Sequence, residues 1–216
     1  MRRFFIIDKY NTWYDWRLTL TAKDVAPAEP KFDYVTLDGV SGSLDFTEAL
    51  TGQVEYNDRT VTASFMCSEG TMQERQILFR QITAALHGRK VRLIEPDDPE
   101  HYFLGRVKIK SPVQHQAYME FTLEATCDPW RYAVNETERR VPLSGSVNAV
   151  IRNNGDRTLC PTITVEGSAA IAIATGMTTL SAGVYKITDL RLRPGVNVIG
   201  LTGWGAVTFT YTEATL

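Results

Sequence analysis

The strictest pattern in the sequence is an alternation of apolar and polar residues over Met119–Cys127. The apolar positions are Met119, Phe121, Leu123, Ala125 and Cys127, and the polar positions between them are Glu120, Thr122, Glu124 and Thr126. Because successive side chains of a strand point to opposite faces, this pattern predicts a strand with one face in a core and one in water. Thr60–Cys67 repeats the pattern. Two such strands predict a mainly β fold.

One helix interrupts the β pattern. Thr71 and Glu74 form a capping box, in which each side chain accepts a hydrogen bond from the other residue's backbone. Apolar residues then recur at helical spacing, and Gly88 suits a left-handed stop. The sequence therefore predicts a helix over Met72–His87 that packs one face on a sheet. Further strands are predicted at Phe4–Ile7, Trp16–Leu20, Phe32–Leu37, Lys90–Ile94 and Tyr102–Lys110.

The composition changes near residue 133, after which charge is sparse and Gly, Thr, Ala and Val dominate. Turn signals there, among them Gly203-Trp204-Gly205, separate short strand patterns. The predicted strands are Ser146–Arg152, Thr162–Glu166, Ala170–Ala174, Gly183–Ile187, Val196–Leu201 and Ala206–Thr212. We therefore expect two domains: a β-rich domain with one helix in residues 1–133, and a small β-sandwich in residues 134–216.

A polar segment, Asp38–Arg59, separates two of the predicted strands. It is rich in Gly, Ser, Thr, Asp and Glu, and it is too long for an ordinary turn. Its bulky apolar residues are Val40, Leu44, Phe46, Leu50, Val54 and Tyr56. Such a segment is either a solvated loop or a hairpin that reaches out from a sheet to touch something else.

Catalytic and metal-binding patterns do not emerge from the sequence. None of His87, His101 and His115 lies within four residues of another histidine or a cysteine, so metal-ligand spacing is absent. Asp97 and Asp98 lie in a proline-flanked turn, Glu95–Glu100, that we expect to be solvated. We therefore expect no enzyme, cofactor or metal. The net charge of -2 gives no general attraction to nucleic acid or to anionic membranes, and no apolar run approaches the ~20 residues of a membrane span.

A sugar-binding site is an alternative for the C-terminal part. Trp204 and Tyr211 are aromatic residues that can stack on a sugar ring. If Gly203-Trp204-Gly205 is a turn, however, Trp204 can fold onto the core of its own domain, and we favour this interpretation.

The order of these elements resembles the N-terminal domain of the distal tail proteins of long, flexible-tailed bacteriophages. The resemblance covers about residues 1–133. It depends on the motif D-G-x-x-G-x-L-D from Asp38, D-D-x-x-x-Y-x-x-G-R from Asp97 and C-x-P-W-x-Y from Cys127, together with the elements around them.

The resemblance implies a virion structural protein of the tail tip, with a ring-forming, split-barrel-like N-terminal domain. Members of the family form a hexameric ring between tail tube and tip or baseplate, and the lumen passes the tape measure protein and then DNA. The implied partners are copies of the chain itself, the tail tube protein, the tape measure protein and a tail-tip hub or fibre protein. Assembly takes place in the host cytoplasm, without a membrane partner.

The leading hypothesis is therefore a non-enzymatic ring protein whose polar segment makes subunit contacts. The candidate interface residues are Asp38, Leu44, Phe46, Leu50, Val54, Tyr56 and Arg59. The alternative is a carbohydrate-binding β-sandwich module for host-surface attachment, with Trp204 and Tyr211 as its candidate residues.

Overall fold

The computed structural model describes residues 4–173 and 176–216. They divide into two compact units. The first unit contains the residues up to Arg131 together with Leu216, and the second contains Tyr132–Thr215. The predicted fold class, mainly β with a single α-helix, is confirmed for the described residues.

The first unit is built on one curved antiparallel sheet and one helix. Its elements are β1 (Ile6–Ile7), β2 (Tyr10–Asn11), β3 (Thr19–Val25), β4 (Tyr34–Thr36), β5 (Ser43–Asp45), β6 (Arg59–Cys67), α1 (Met72–Leu86), β7 (Lys90–Glu95), β8 (Asp98–Ile109), β9 (Val113–Gln114) and β10 (Met119–Ala133). The main sheet has the order β2-β1-β7-β8-β10-β6-β3, and β9 also pairs with β10. Strands β4 and β5 form a separate two-stranded sheet.

The two alternating strands of the sequence lie side by side at the centre of this sheet. In the register of β6 and β10, Phe65 is opposite Phe121 and Val61 is opposite Ala125. The apolar face of both strands is buried, as the alternation predicts. Helix α1 covers this face, and the ring centroids of Phe79 and Phe121 are 5.4 Å apart. The helix starts with the predicted capping box and ends at Leu86.

The sheet of the first unit curls strongly. Strands β3 and β7 are four strand spacings apart in the sheet order, or roughly 19 Å in a flat sheet. Yet Lys23 on β3 pairs with Asp97, beside β7, at 2.7 Å, and also with Glu95 on β7. The sheet must therefore bend until its strands form a half-barrel around the core.

The curl corrects one expectation from the sequence. The turn around Asp97 is not a purely solvated acidic loop, because Glu95 is only 5% exposed. Burial alone would lower the pKa of Lys23, but hydrogen bonds to Asp97 and Glu95 outweigh this effect and raise it. These carboxylates thus help to hold the two regions of the sheet together.

The second unit contains a four-stranded antiparallel sheet. Its elements are β11 (Thr137–Asn153), β12 (Thr162–Ile173), β13 (Gly176–Lys186), β14 (Gly195–Tyr211) and β15 (Ala214–Thr215). The sheet order is β11-β14-β12-β13. Several strands are longer than the sequence indicated. Strand β14 joins the two strands predicted at Val196–Leu201 and Ala206–Thr212. Strand β12 joins the two predicted at Thr162–Glu166 and Ala170–Ala174. Ala174 itself lies outside the described residues.

The expectation of a turn at Gly203-Trp204-Gly205 is therefore wrong. These residues lie within β14, next to the bulge of β12 between Val165 and Ser168. Residues from both halves of β14, such as Leu201 and Phe209, belong to one buried core. A flat sheet cannot bury one face so completely without a cover, and the described residues of this unit contain no helix. The sheet therefore bends over its own inner face at these glycines.

We predict that Gly205→Ala destabilises the second unit by roughly 3 kcal/mol or more. Gly205 has a φ of 100°, and a Cβ there would lie 1.8 Å from the Glu166 carbonyl oxygen. Gly195→Ala is the matched control in the same strand, since Gly195 has a φ of 90° but open space around its Cβ position. Its expected cost is about 1 kcal/mol. Chemical denaturation measures both, and equal losses of stability would contradict the bend.

Candidate functional site

A long hairpin leaves the first unit between two strands that are neighbours in its sheet. Strands β3 and β6 are antiparallel partners, and their pairing ends with the Ala26 N–H donating to the Thr60 carbonyl at 3.1 Å. A tight turn suffices to connect such partners. Instead, residues 27–58 intervene, which we call the arm. The pairing of β3 with β6 therefore does not account for the length of the arm.

Backbone pairing makes the arm a hairpin and not a solvated loop. At its base, the Lys31 N–H donates to the Glu55 carbonyl at 2.8 Å, and the Asn57 N–H donates to the Glu29 carbonyl at 2.8 Å. Further out, β4 pairs with β5, with Val35 opposite Leu44. This pairing agrees with a hairpin and not with a solvated loop.

The arm exposes large apolar side chains on both of its faces. These residues are Phe32, Tyr34, Val35, Leu37, Val40, Leu44, Phe46 and Leu50, and their exposed fractions range from 39% to 96%. Val35 and Leu44 share one face as directly opposed residues. Tyr34 lies on the other face, where its ring stacks with that of Phe32 at 5.9 Å. An isolated two-stranded hairpin is marginally stable in water, and these exposed apolar side chains make the arm the candidate interaction surface.

Polar contacts stiffen the outer part of the arm. The Thr47 N–H donates to the Asp45 carboxylate at 2.9 Å, and the Thr47 hydroxyl accepts from the Asp33 N–H at 3.2 Å. Hydrogen bonds from the Thr47 side chain and from its backbone lower the pKa of Asp45, so this carboxylate stays charged at neutral pH.

The predicted interface residues fall into three groups. Asp38, Leu44, Phe46 and Leu50 are exposed on the arm, whereas Val54 and Tyr56 are half-buried at its base. Arg59 is only 4% exposed and lies over the Phe103 ring at 5.5 Å within the first unit. We therefore remove Arg59 from the candidate interface, because its guanidinium is not on the surface of the arm.

The strand predicted at Phe32–Leu37 is present as β4, but the sequence did not indicate that it belongs to the projecting hairpin. The predicted segment began at Asp38, whereas the hairpin also includes Phe32, Tyr34, Val35 and Leu37. One sequence feature pointed to this role. Large apolar residues occupy both alternating sets of positions in Phe32–Leu37, whereas a strand that buries one face has them in only one set.

The two candidate sugar-binding residues have different environments. Trp204 is 67% exposed, so the expectation that it folds onto the core of its own unit is wrong. Tyr211 is 5% exposed, and its hydroxyl donates to the Arg152 carbonyl at 2.6 Å. Its ring is therefore not accessible to a sugar, and we remove Tyr211 from the candidate site.

The ionisable groups singled out in the sequence are in structural contacts. His101 Nδ1 lies 2.8 Å from Asp98 Oδ1, and Arg131 lies 3.6 Å from the same carboxylate. His87 Nδ1 accepts from the Ile109 N–H at 3.1 Å. Across the part of the chain that the structure describes, no three His, Cys, Asp or Glu residues are grouped to hold a metal ion. Among the same residues, no helix has the length and apolar character to cross a bilayer.

The fold is similar to that of one solved phage protein. The chain superimposes on the Dit protein of bacteriophage SPP1, described as a paradigm of the hub adsorption apparatus in phages that infect Gram-positive bacteria. The match has a TM-score of 0.74 and 16% sequence identity, and it covers 100% of both chains. The resemblance to distal tail proteins seen in the sequence is thereby confirmed at the level of the fold.

Two further matches are weaker. They are chains of the activated baseplate of phage p2, solved with Sr and with Ca, at TM-scores of 0.43 and 0.42. Their identities are 6% and 7%, and the alignments cover 98% or more of each chain. TM-scores below 0.5 do not establish a shared fold. No protein-family model and no curated protein matches the sequence.

The thiols provide a test of the packing of the first unit. Burial raises the pKa of Cys127 to about 12, and burial also raises the pKa of Cys67. Cys160 is only partly buried. Since the thiolate is the reactive form, we expect a thiol-specific reagent at pH 8 to modify Cys160 in the native chain and all three cysteines after denaturation. Rapid native labelling of Cys127 would contradict the core described above.

Proposed function

We propose that this chain is a non-enzymatic structural component of a phage tail tip that assembles into a ring through its arm. The observation that carries the proposal is the arm itself: an insertion that its own sheet does not need, with apolar side chains exposed on both faces. The full-length likeness to the SPP1 Dit fold supports a place in the adsorption apparatus.

The geometry of the arm suits a head-to-tail contact between identical subunits. In a closed ring every interface joins two different surfaces, so a projecting segment of one subunit docks on the next. The arm presents the free edges of β4 and β5 as well as its apolar faces, and an extended strand can add to a neighbouring sheet edge through backbone hydrogen bonds. Docking would remove Leu44, Phe46 and Leu50 from water.

The ring that we propose has six subunits and joins the tail tube to the tip or baseplate. Its neighbours are the tail tube protein, the tape measure protein and a tip hub or fibre protein, and its lumen lets the tape measure and DNA pass. A net charge of -2 is consistent with transit of DNA without tight binding. The ring forms in the host cytoplasm and ends at the tail tip of the virion.

The double variant Leu44→Asp with Phe46→Asp tests the role of the arm. Both side chains are exposed in the isolated chain, so the variant is expected to fold with an unchanged thermal midpoint. Charges placed in a docked apolar surface are costly, and we expect the association constant to fall at least roughly 100-fold. Measurement of the mass in solution, alone and with tail tube protein, reports assembly.

The matched control is Val196→Asp with Val198→Asp, which changes two exposed apolar residues of the second unit. This control is expected to assemble like the wild type. A wild-type chain that stays monomeric alone and with tail tube protein would refute the ring. An arm variant that assembles normally would refute the role of the arm.

A second candidate function is carbohydrate binding at Trp204. The observation that favours it is the exposure of the Trp204 ring on β14, between Ser144 of β11 and Ser168 of β12 in the sheet register. An exposed indole flanked by hydroxyl groups is suited to stacking on a sugar ring and donating hydrogen bonds to it.

We expect Trp204→Ala to abolish any glycan binding by the second unit while leaving its thermal midpoint unchanged, because the indole is mostly outside the core. A glycan array with the full chain measures this. Val184→Ala, an exposed change on β13, is the control. The absence of binding by correctly folded wild-type protein would remove this candidate function.

A further inference from the structure

The arm carries a strong negative charge in a chain that is nearly neutral. Between residues 27 and 58 there are seven carboxylates and one cation, Lys31. The carboxylates are Glu29, Asp33, Asp38, Asp45, Glu48, Glu55 and Asp58. The rest of the chain therefore has an excess of positive charge.

A matching positive surface lies on the outer face of the sheet of the first unit. On β8, the buried residues Val107 and Ile109 alternate with the exposed cations Arg106 and Lys108. On β7, Val91 and Leu93 point inward, while Lys90 and Arg92 are exposed. Lys90 is directly opposite Arg106 in the register, and Lys110 follows β8. We call these five cations, Lys90, Arg92, Arg106, Lys108 and Lys110, the basic column.

The carboxylates near the column are fewer than its cations. Lys110 pairs with Glu124 at 2.7 Å, and Lys90 pairs with Asp128 at 3.3 Å. A groove of about 520 Å³ is lined by Lys90, Arg106 and Lys108 of the column, and its wall also includes Asp58 and Asp128. Asp58 is the last residue of the arm, so the base of the chain's own arm lies beside these three cations.

We propose, on the basis of the ring function above, that the basic column is the docking surface for the acidic arm of a neighbouring copy of this chain. The arm of the same chain is exposed along residues 31–46 and does not cover its own column. Opposite charge across the contact selects the neighbour's arm and sets its register, because placements that bring like charges together are disfavoured. The apolar side chains of the arm contribute affinity, and the column contributes orientation. Duplex DNA is another polyanion with the charge to bind the basic column. The charge-swap experiment distinguishes DNA from the arm of a neighbouring copy.

A charge swap tests the contact in the full chain. One variant reverses the column (Arg106→Glu with Lys108→Glu), a second reverses the arm (Asp38→Lys with Glu48→Lys), and a third combines all four changes. Each single reversal is expected to weaken association at least roughly tenfold, and the combination is expected to restore it. Reversal of Arg191 and Arg193 to Glu in the second unit controls for net charge alone. Equal thermal midpoints show that each variant is folded.

The outcomes are separable. If the wild type assembles and the column variant assembles equally well, this docking surface is wrong while the proposed ring stands. If the column variant fails to assemble and the fourfold variant is not rescued, the occupant is not the arm. A parallel loss of binding to a short DNA duplex, again without rescue, would identify DNA as the ligand and overturn the proposal. If the wild type does not assemble even with tail tube protein, the proposed function itself fails.

Discussion

The contact between Lys23 and the carboxylates around the β7–β8 turn joins two strands that a flat sheet would hold far apart. Lys23 belongs to the edge strand β3, and its partners Glu95 and Asp97 lie four strands away. The contact is possible because the sheet curls around one apolar core with α1 as its cover. The ion pair with Lys23 offsets part of the cost of burying the Glu95 side chain. The outer face of the same sheet is left for polar and charged residues, including the basic column.

The curl also determines what the arm is. Because β3 and β6 are direct partners at one edge of the curled sheet, the pairing of these two strands does not require the long chain between them. Long insertions at such a connection cost little conformational entropy. The insertion forms its own hairpin and exposes Phe32, Leu44 and Leu50. The assembly that we propose would remove this apolar surface from water.

Local patterns allowed much of the fold to be predicted from the sequence. The capping box at Thr71 and the alternation over Met119–Cys127 depend on neighbours within a few residues, and both predictions are confirmed. The errors concern features that depend on distant residues. A glycine pair such as Gly203 and Gly205 is compatible with a turn and with a bend in a strand, and only the pairing of β14 with β12 distinguishes them. The burial of Glu95 likewise follows from β3, which is far away in the sequence.

The candidate site was predictable in part for the same reason. The length and polarity of Asp38–Arg59 indicated a projecting segment. That Phe32–Leu37 belongs to this segment follows from the pairing of β4 with β5, and the burial of Arg59 follows from its packing on Phe103 of β8. The basic column was not visible as a motif, because Lys90 and Arg106 come together only through the register of β7 and β8.

In the assembly that we propose, the arm of one subunit forms the contact with the next. An electron-microscopy reconstruction of the assembled wild-type chain, alone or on a tail tube, would show this contact. We expect a closed ring in which residues 31–53 of each subunit lie against the adjacent copy, with Leu44 and Phe46 buried. A ring whose arms project freely into solvent, or whose contacts exclude the arm, would contradict it.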